Sequence, residues 1–542
     1  MAEAAGERWR LRDIPPELAA EYRRAGWWDD RTLGQLAETG LNERAKVAFE
    51  AHSKVRPWAG TFGDLDRAAR TFAGALQARG VGAGDVVVLQ MPNWMEAGIA
   101  FFAATYLGAV VVPIVHFYGA KEVGYILRAV RPDVVVTIDR FGHADHLALY
   151  DGLLGADADV DPLWLVVGDT AASALPAKAT PFTALLDDGS PVAGPAPVDP
   201  DGPALIGFTS GTTRDPKGVV HSHRTMGCEI RQLDYMFPDG GPPGITAAPV
   251  GHFIGMLNAF LTPLLRDRPV HLVDVWDPTE VLRLMKDEGL GMGGGATFFL
   301  TSLLDHPDFE DAHLAQMPFA GLGGSPIPVA VTERATRMGI KVFRSYGSTE
   351  HPSITGCLLD EPERKRVATD GRPMPGVEIR LDEDGEISSR GPDCFVGYTD
   401  ADLTAKVFDA DGWYRTGDVG VLDDDGYLTI TDRVSDIIIR GGENISAAEV
   451  EELVMQLDAV AEVCVVAEPD QRFGERAAAV VRVRPDCSAP TVDDIRVHLD
   501  AAGLARQKWP ESVYEVAEMP RTPSGKVQKF VLRQQLREGT LK

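Results

Sequence analysis

The chain is expected to fold as an α/β protein. A large N-terminal domain of doubly wound sheets with a small β unit, residues 1–432, is followed by a small α+β C-terminal domain, residues 433–542. Three observations lead there. The first third alternates continuous apolar runs with segments of helical period, the rhythm of a mostly parallel sheet covered on both faces. From Gly371 to Ile430 the pattern changes to short strands and Gly/Asp turns, as in an antiparallel unit. After Asp432 a tail of domain size begins, with helix and strand signals of its own.

Taken in order, Thr61-Phe-Gly-Asp64 reads as a capping box that opens a helix ending near Gly80. Asp85 to Met91 is a continuous apolar run, as expected of a strand buried on both faces. Trp94 to Leu107 reads as helix, Ala109 to Ile114 as strand, Lys121 to Val130 as helix and Asp133 to Ile138 as strand. Within this stretch Ala97 to Val115 is uncharged and long enough to suggest a membrane span. Gly108 and Pro113 interrupt it, so a helix followed by a strand is the reading, with no membrane span. Ala171 to Gly202 is rich in Ala, Pro, Asp and Gly and is expected to be a surface connection. In the tail, Ser446-Ala-Ala-Glu449 reads as a second capping box. Val463 to Ala467 and Ala478 to Val483 read as strands, Val492 to Leu499 and Phe530 to Leu536 as helices.

Composition narrows the function. A net charge of −27 repels phosphate backbones, so nucleic acid is not an expected partner. Any phosphate site must be built locally from a few cations and backbone N–H groups. Five scattered cysteines with no CxxC spacing point to a reducing compartment, and a cytoplasmic location is expected.

Four motifs carry chemistry. In Phe208-Thr-Ser-Gly-Thr-Thr-Arg-Asp-Pro-Lys-Gly218, the hydroxyls of Thr209, Ser210, Thr212 and Thr213, the backbone at Gly211 and the cation of Lys217 follow an apolar strand. Such a loop wraps phosphate oxygens, although its spacing is not that of a Walker A motif. In Tyr346-Gly-Ser-Thr-Glu350, the carboxylate of Glu350 is the type of ligand that magnesium takes beside a triphosphate. The ring of Tyr346 can cover a purine. Asp418 in Tyr414-Arg-Thr-Gly-Asp418, with Arg433 beyond, suits a ribose, whose hydroxyls donate to an acid. Pro520-Arg-Thr-Pro-Ser-Gly-Lys526 presents a lysine from a stiff loop ahead of a helix, well placed to meet developing negative charge. Gly291-Met-Gly-Gly-Gly-Ala296 lacks the strand and acid of a dinucleotide fingerprint, and His221-Ser-His223 has no clear third metal ligand.

In this order and spacing, the motifs resemble the AMP-forming acyl-adenylating superfamily of acyl-CoA synthetases, peptide-synthetase adenylation domains and firefly-type luciferases. The resemblance runs from about Tyr22 to Leu536 and is nearest to medium-chain or alicyclic acyl-CoA ligases. It implies ATP, Mg²⁺ and coenzyme A, and an acid–thiol ligase that forms an acyl-AMP and then an acyl-CoA from a small carboxylic acid. The alternative it allows is a stand-alone adenylating enzyme that loads a carrier protein. A homodimer is compatible with either.

The resemblance also implies residue roles. Thr209 to Lys217 match the phosphate loop, and Gly323, Gly324, Ser325, Tyr346, Gly347 and Thr349 the adenine and AMP contacts. Asp418 and Arg433 match the ribose pair, Glu350 the magnesium ligand and Lys526 the lysine of adenylation; Thr209, Glu350 and Lys526 form the catalytic set. Ser435 matches the hinge of a mobile C-terminal domain, Gly441, Gly442 and Glu443 the coenzyme A side, and His252 and Phe253 the acyl side.

Three departures stand out. Arg214 occupies a glycine position of the loop, where a left-handed backbone would cost about 1–2 kcal/mol. Ser435 replaces the usual Asp or Lys. Phe253 follows His252 where aryl-acid activators often carry Asn, which argues against a hydroxybenzoate. The remaining pocket candidates, Cys228, Met256 and Gly293 to Thr297, are small or apolar and favour an aliphatic or alicyclic acid.

Overall fold

The computed structural model describes residues 8–156, 160–209, 216–324, 327–434, 436–440, 443–522 and 526–541. Its largest sheet has eight strands, in the order Gly397–Tyr398, Lys217–Ser222, Pro203–Thr209, Val110–Ile114, Val86–Gln90, Val134–Ile138, Leu163–Val167 and Ala179–Pro181. The strands from Pro203–Thr209 onward run parallel, and the first two are antiparallel additions. Strand side chains alternate between faces, and the packing follows that period. Val87, Leu89, Val111 and Val136 join the core beneath the helices Phe62–Gln77 and Met95–Leu107. Val86, Val88, Val110 and Val135 join the opposite core with Ile126 and Leu127 of the helix Ala120–Val130. The doubly wound expectation therefore holds.

Thr61 and Asp64 form the expected capping box. The apolar stretch at Ala97 divides as expected: Gly108, with φ 67°, closes the helix Met95–Leu107, and Val110–Ile114 follows as a strand. That helix is buried on all sides because it lies inside the fold. No helix among the described residues is long and apolar enough to cross a membrane.

A four-stranded sheet joins Ala48–His52 to Val270–Val273 in parallel. A five-stranded sheet contains Phe319–Leu322 and Lys341–Tyr346, in parallel, at its centre. The antiparallel unit consists of Glu378–Leu381, Glu386–Arg390, Tyr414–Leu422 and Leu428–Arg433. In the tail, the long pair Val460–Asp470 and Gly474–Val483 carries the helices Ala447–Val454 and Val492–Ala501 on one face and Lys529–Glu538 on the other.

Two expectations need correction. Ala171 to Gly202 is not only a surface connection: it contains the edge strand Ala179–Pro181 and the helix Phe182–Asp188. Phe182 is buried and stacks on Phe72 at 4.2 Å, an anchor that the surrounding Ala/Pro/Asp composition conceals. The box at Ser446 forms only half. Ser446 Oγ accepts from the Glu449 amide at 3.1 Å, but the Glu449 carboxylate pairs with Lys508 at 2.6 Å.

Residues 8–33 act as a strap. Leu18, Tyr22 and Trp28 pack on Cys228 of the helix His223–Met236. Trp28 Nε1 donates to the Pro392 carbonyl at 2.7 Å, and the Arg12 amide donates to Val396 at 3.0 Å.

Candidate active site

The parallel strand Lys341–Tyr346 ends at the loop Tyr346 to Glu350. Gly347 is required there: a Cβ at that position would lie 1.8 Å from the Pro352 carbonyl oxygen. The Tyr346 hydroxyl donates to Asp418 Oδ2 at 2.7 Å, and Arg433 Nε contacts Asp418 Oδ1 at 2.9 Å. Asp418 and Arg433 face each other directly across two antiparallel strands, so sheet register sets this pair. Asp418 is buried, yet an ionised carboxylate has about four acceptor sites and only two are used by these contacts. Burial, then Asp418, raises the Tyr346 pKa, so the ring is a neutral donor.

Glu350 is also buried, and its Oε1 accepts from the Tyr398 hydroxyl at 2.8 Å. Burial, followed by the adjacent Glu350 charge, raises the Tyr398 pKa and keeps that hydroxyl protonated. Lys217 Nζ lies 5.5 Å from the Tyr398 ring centroid, so the end of the phosphate loop stands beside the carboxylate. Thr209 and Lys217 are paired in register, which closes the two ends of that loop. Ser210, Gly211, Thr212, Thr213 and Arg214 lie outside the described residues, as do Ser325, Ser435, Gly441 and Gly442. Glu443 begins the strand Glu443–Ile445.

Thr349 is held from behind. Its carbonyl oxygen lies 2.7 Å from His221 Nε2, and a Cβ at Gly207 would come within 2.9 Å of its methyl group. His221 and His223 make no metal pair, because His223 Nδ1 accepts from the Leu33 amide instead. Gly323 packs against Ser345, and Gly324 turns the chain with φ 73°. His252 stands at the position just before the short helix Phe253–Met256. Burial, then the charge of Lys526, pulls the His252 pKa down to about 4, so its imidazole is neutral at pH 7. Phe253 is buried 5.1 Å from the His221 ring.

Lys526 reaches this group from the tail. Its amide donates to Thr522 Oγ1 at 3.1 Å and its carbonyl accepts from the Thr522 amide at 2.7 Å, which closes the turn. Burial, then Arg433, lowers its pKa to about 8 against the opposing pull of Asp418 and Glu350.

Thr209, Lys217, His252, Phe253, Gly323, Gly324, Tyr346, Gly347, Thr349, Glu350, Asp418, Arg433 and Lys526 all line one cleft of about 2020 Å³. Gly293 to Thr297 line it as well. Cys228 and Met256 do not fit the pocket expectation. Cys228 faces the N-terminal strap, and Met256 is fully buried in the main core.

Two cleft residues carried no sequence signal as single positions. One is Tyr398. The other is Glu229, whose Oε1 accepts from Ser353 Oγ at 3.1 Å while Oε2 has no hydrogen-bond partner among the described residues. Burial, and then Asp393, raises the Glu229 pKa well above the carboxylate range.

The chain is similar to known proteins along most of its length. The model of the AMP-binding enzyme family matches residues 42–399, and that of the AMP-binding enzyme C-terminal domain matches residues 449–526. A medium-chain fatty-acid–CoA ligase of Escherichia coli K12 is 32% identical over 95% of this chain and 92% of its own length. The 3-[(3aS,4S,7aS)-7a-methyl-1,5-dioxo-octahydro-1H-inden-4-yl]propanoyl:CoA ligase of Rhodococcus jostii RHA1 is 36% identical over 88% and 93%. Among solved structures, ATP-bound MatB of Rhodopseudomonas palustris superimposes with a TM-score of 0.83 at 27% identity, covering 94% of this chain and 99% of that one.

Proposed function

The chain belongs to the AMP-binding enzyme family, and on that premise we propose that it couples a small aliphatic or alicyclic carboxylic acid to coenzyme A, using ATP. The observation that carries this reading is the meeting of Lys526 from the tail with Glu350, Asp418 and Arg433 in one cleft.

The acid's carboxylate attacks the α-phosphate of ATP, and pyrophosphate leaves. The protein's work is positioning and charge neutralisation, with no covalent enzyme intermediate. Asp418 and Arg433 hold the ribose, and Tyr346 with Gly323, Gly324, Ser325, Gly347 and Thr349 holds the adenine and AMP. Thr209 to Thr213 and Lys217 hold the departing phosphates. Lys526 donates to the carboxylate and the α-phosphate oxygen, while neutral His252, with Phe253, borders the acyl group.

The Glu350 carboxylate fits a magnesium ion. One oxygen is taken by Tyr398, leaving the other for an ion that needs few protein ligands. When bound, the ion neutralises charge on the phosphate oxygens.

For the second step, the C-terminal unit of residues 433–542 pivots near Ser435, so that the residues beyond it move relative to residues 1–432 while Arg433 stays paired with Asp418. This withdraws Lys526 and brings Gly441, Gly442 and Glu443 to the thiol side. The thiol attacks the acyl-AMP carbonyl, and AMP leaves. A carrier protein is the less supported acceptor, since the relatives described above are CoA ligases. The five free cysteines, four of them buried, suit a cytoplasmic location. Light scattering would read the homodimer that this reading allows.

The decisive experiment scores pyrophosphate release across an acid panel, with coenzyme A as acceptor. Medium-chain and alicyclic acids are expected to turn over; no acid-dependent release from any acid overturns the proposal. Lys526→Ala is expected to slow adenylation by at least about 10²-fold while sparing thioester formation from preformed acyl-AMP. Equal loss of both half-reactions would remove Lys526 from its role.

A further inference from the structure

A second cluster lies away from the cleft. Strand side chains alternate, so Glu50 and His52 of Ala48–His52 share one face. The parallel neighbour Val270–Val273 places His271 opposite Glu50 in register. His52 Nε2 lies 3.1 Å from His271 Nδ1. Glu50 Oε2 lies 3.4 Å from His271 Nδ1 and 3.9 Å from His52 Nε2. Three ligand-type atoms thus converge on one point. Zinc bonds of about 2.0–2.1 Å place neighbouring ligands about 3.0–3.4 Å apart, so two of these separations already match and the third needs a small side-chain shift.

The surroundings suit the same purpose. A metal-bound imidazole usually directs its other nitrogen at a carboxylate, which fixes the tautomer. His52 Nδ1 faces Glu288 Oε2 at 3.9 Å, and Glu288 is held in turn by Arg283 at 3.6 Å. None of the three residues lines the cleft, so this cluster is separate from the magnesium ligand Glu350.

We propose that Glu50, His52 and His271 form a divalent cation site of the zinc class that clamps the strand Ala48–His52 to Val270–Val273. Two imidazoles and one carboxylate suit zinc over magnesium or calcium, which prefer all-oxygen sets. The ion would join residues 219 positions apart in the chain and leave a coordination position for water.

The test uses the full chain after EDTA treatment. Calorimetric titration with Zn²⁺ should show a site that His52→Ala or His271→Ala weakens more than tenfold. Glu50→Gln, a conservative change that spares the fold, should weaken it as well, and Glu288→Gln by about tenfold. Co²⁺ in place of Zn²⁺ should give the absorption bands of a four- or five-coordinate ion. Zn²⁺ should also raise the Tm of the parent chain but not of the variants. Absence of zinc uptake, or uptake unchanged in folded Glu50→Gln and His271→Ala, overturns the proposal. The cluster would then be a hydrogen-bonded group without metal.

Discussion

Lys526 is the residue on which the chemistry turns, and its environment makes a pH prediction. Its pKa of about 8 lies below the usual lysine value, so the ammonium is present below pH 8 and lost above it. Adenylation needs the charged form. kcat/KM for ATP, which reports the free enzyme, is therefore expected to fall above about pH 8. Bound phosphates favour the ammonium, so the descending limb of kcat should lie at higher pH. Stopped-flow pyrophosphate release over pH 6–10 checks both limbs, and Lys526→Arg should abolish the fall near pH 8. At this scale the motifs were informative: Tyr346, Glu350, Asp418, Arg433 and Lys526 do meet in one cleft. Tyr398 and Glu229 were not legible. Tyr398 reaches Glu350 across 48 positions, and nothing around a lone tyrosine or glutamate announces such a contact.

Among the elements, regular local chemistry was readable and irregular local chemistry was not. Thr61 and Asp64 cap their helix as the spacing implies, and the all-apolar runs became the central strands. The helix Phe182–Asp188 escaped because seven residues carry too little periodicity to stand out from the Ala/Pro/Asp composition around them. Its importance lies in packing rather than pattern. Phe182→Ala removes a buried ring stacked on Phe72 and is expected to cost about 3–5 kcal/mol, read by urea denaturation. A change near zero would mean that the element is dispensable. The half-formed box at Ser446 has a similar cause, since Lys508, distant in sequence, draws the Glu449 carboxylate away.

For the whole molecule, docking of the tail includes a polar contact at a helix start. Glu452 Oε1 accepts from the Val329 amide at 3.0 Å, at the open end of the helix Val329–Arg337. An anion suits that position because the first N–H groups of a helix lack partners. Glu452→Ala should therefore slow adenylation several-fold and leave thioester formation from preformed acyl-AMP unchanged, as separate half-reaction assays would show. Loss of both steps would mean that the contact supports folding rather than one docked arrangement. The N-terminal strap has a different reach. It bears on Cys228, the chain neighbour of Glu229 on the helix that also carries Leu233 and Met236 to the cleft. Directed evolution toward new acids commonly randomises the pocket lining, yet here the wall is braced from outside. Libraries at Tyr22 and Trp28 should yield altered acid preferences without touching a single lining residue, and an affinity tag fused ahead of the strap is best judged by substrate profile as well as by yield.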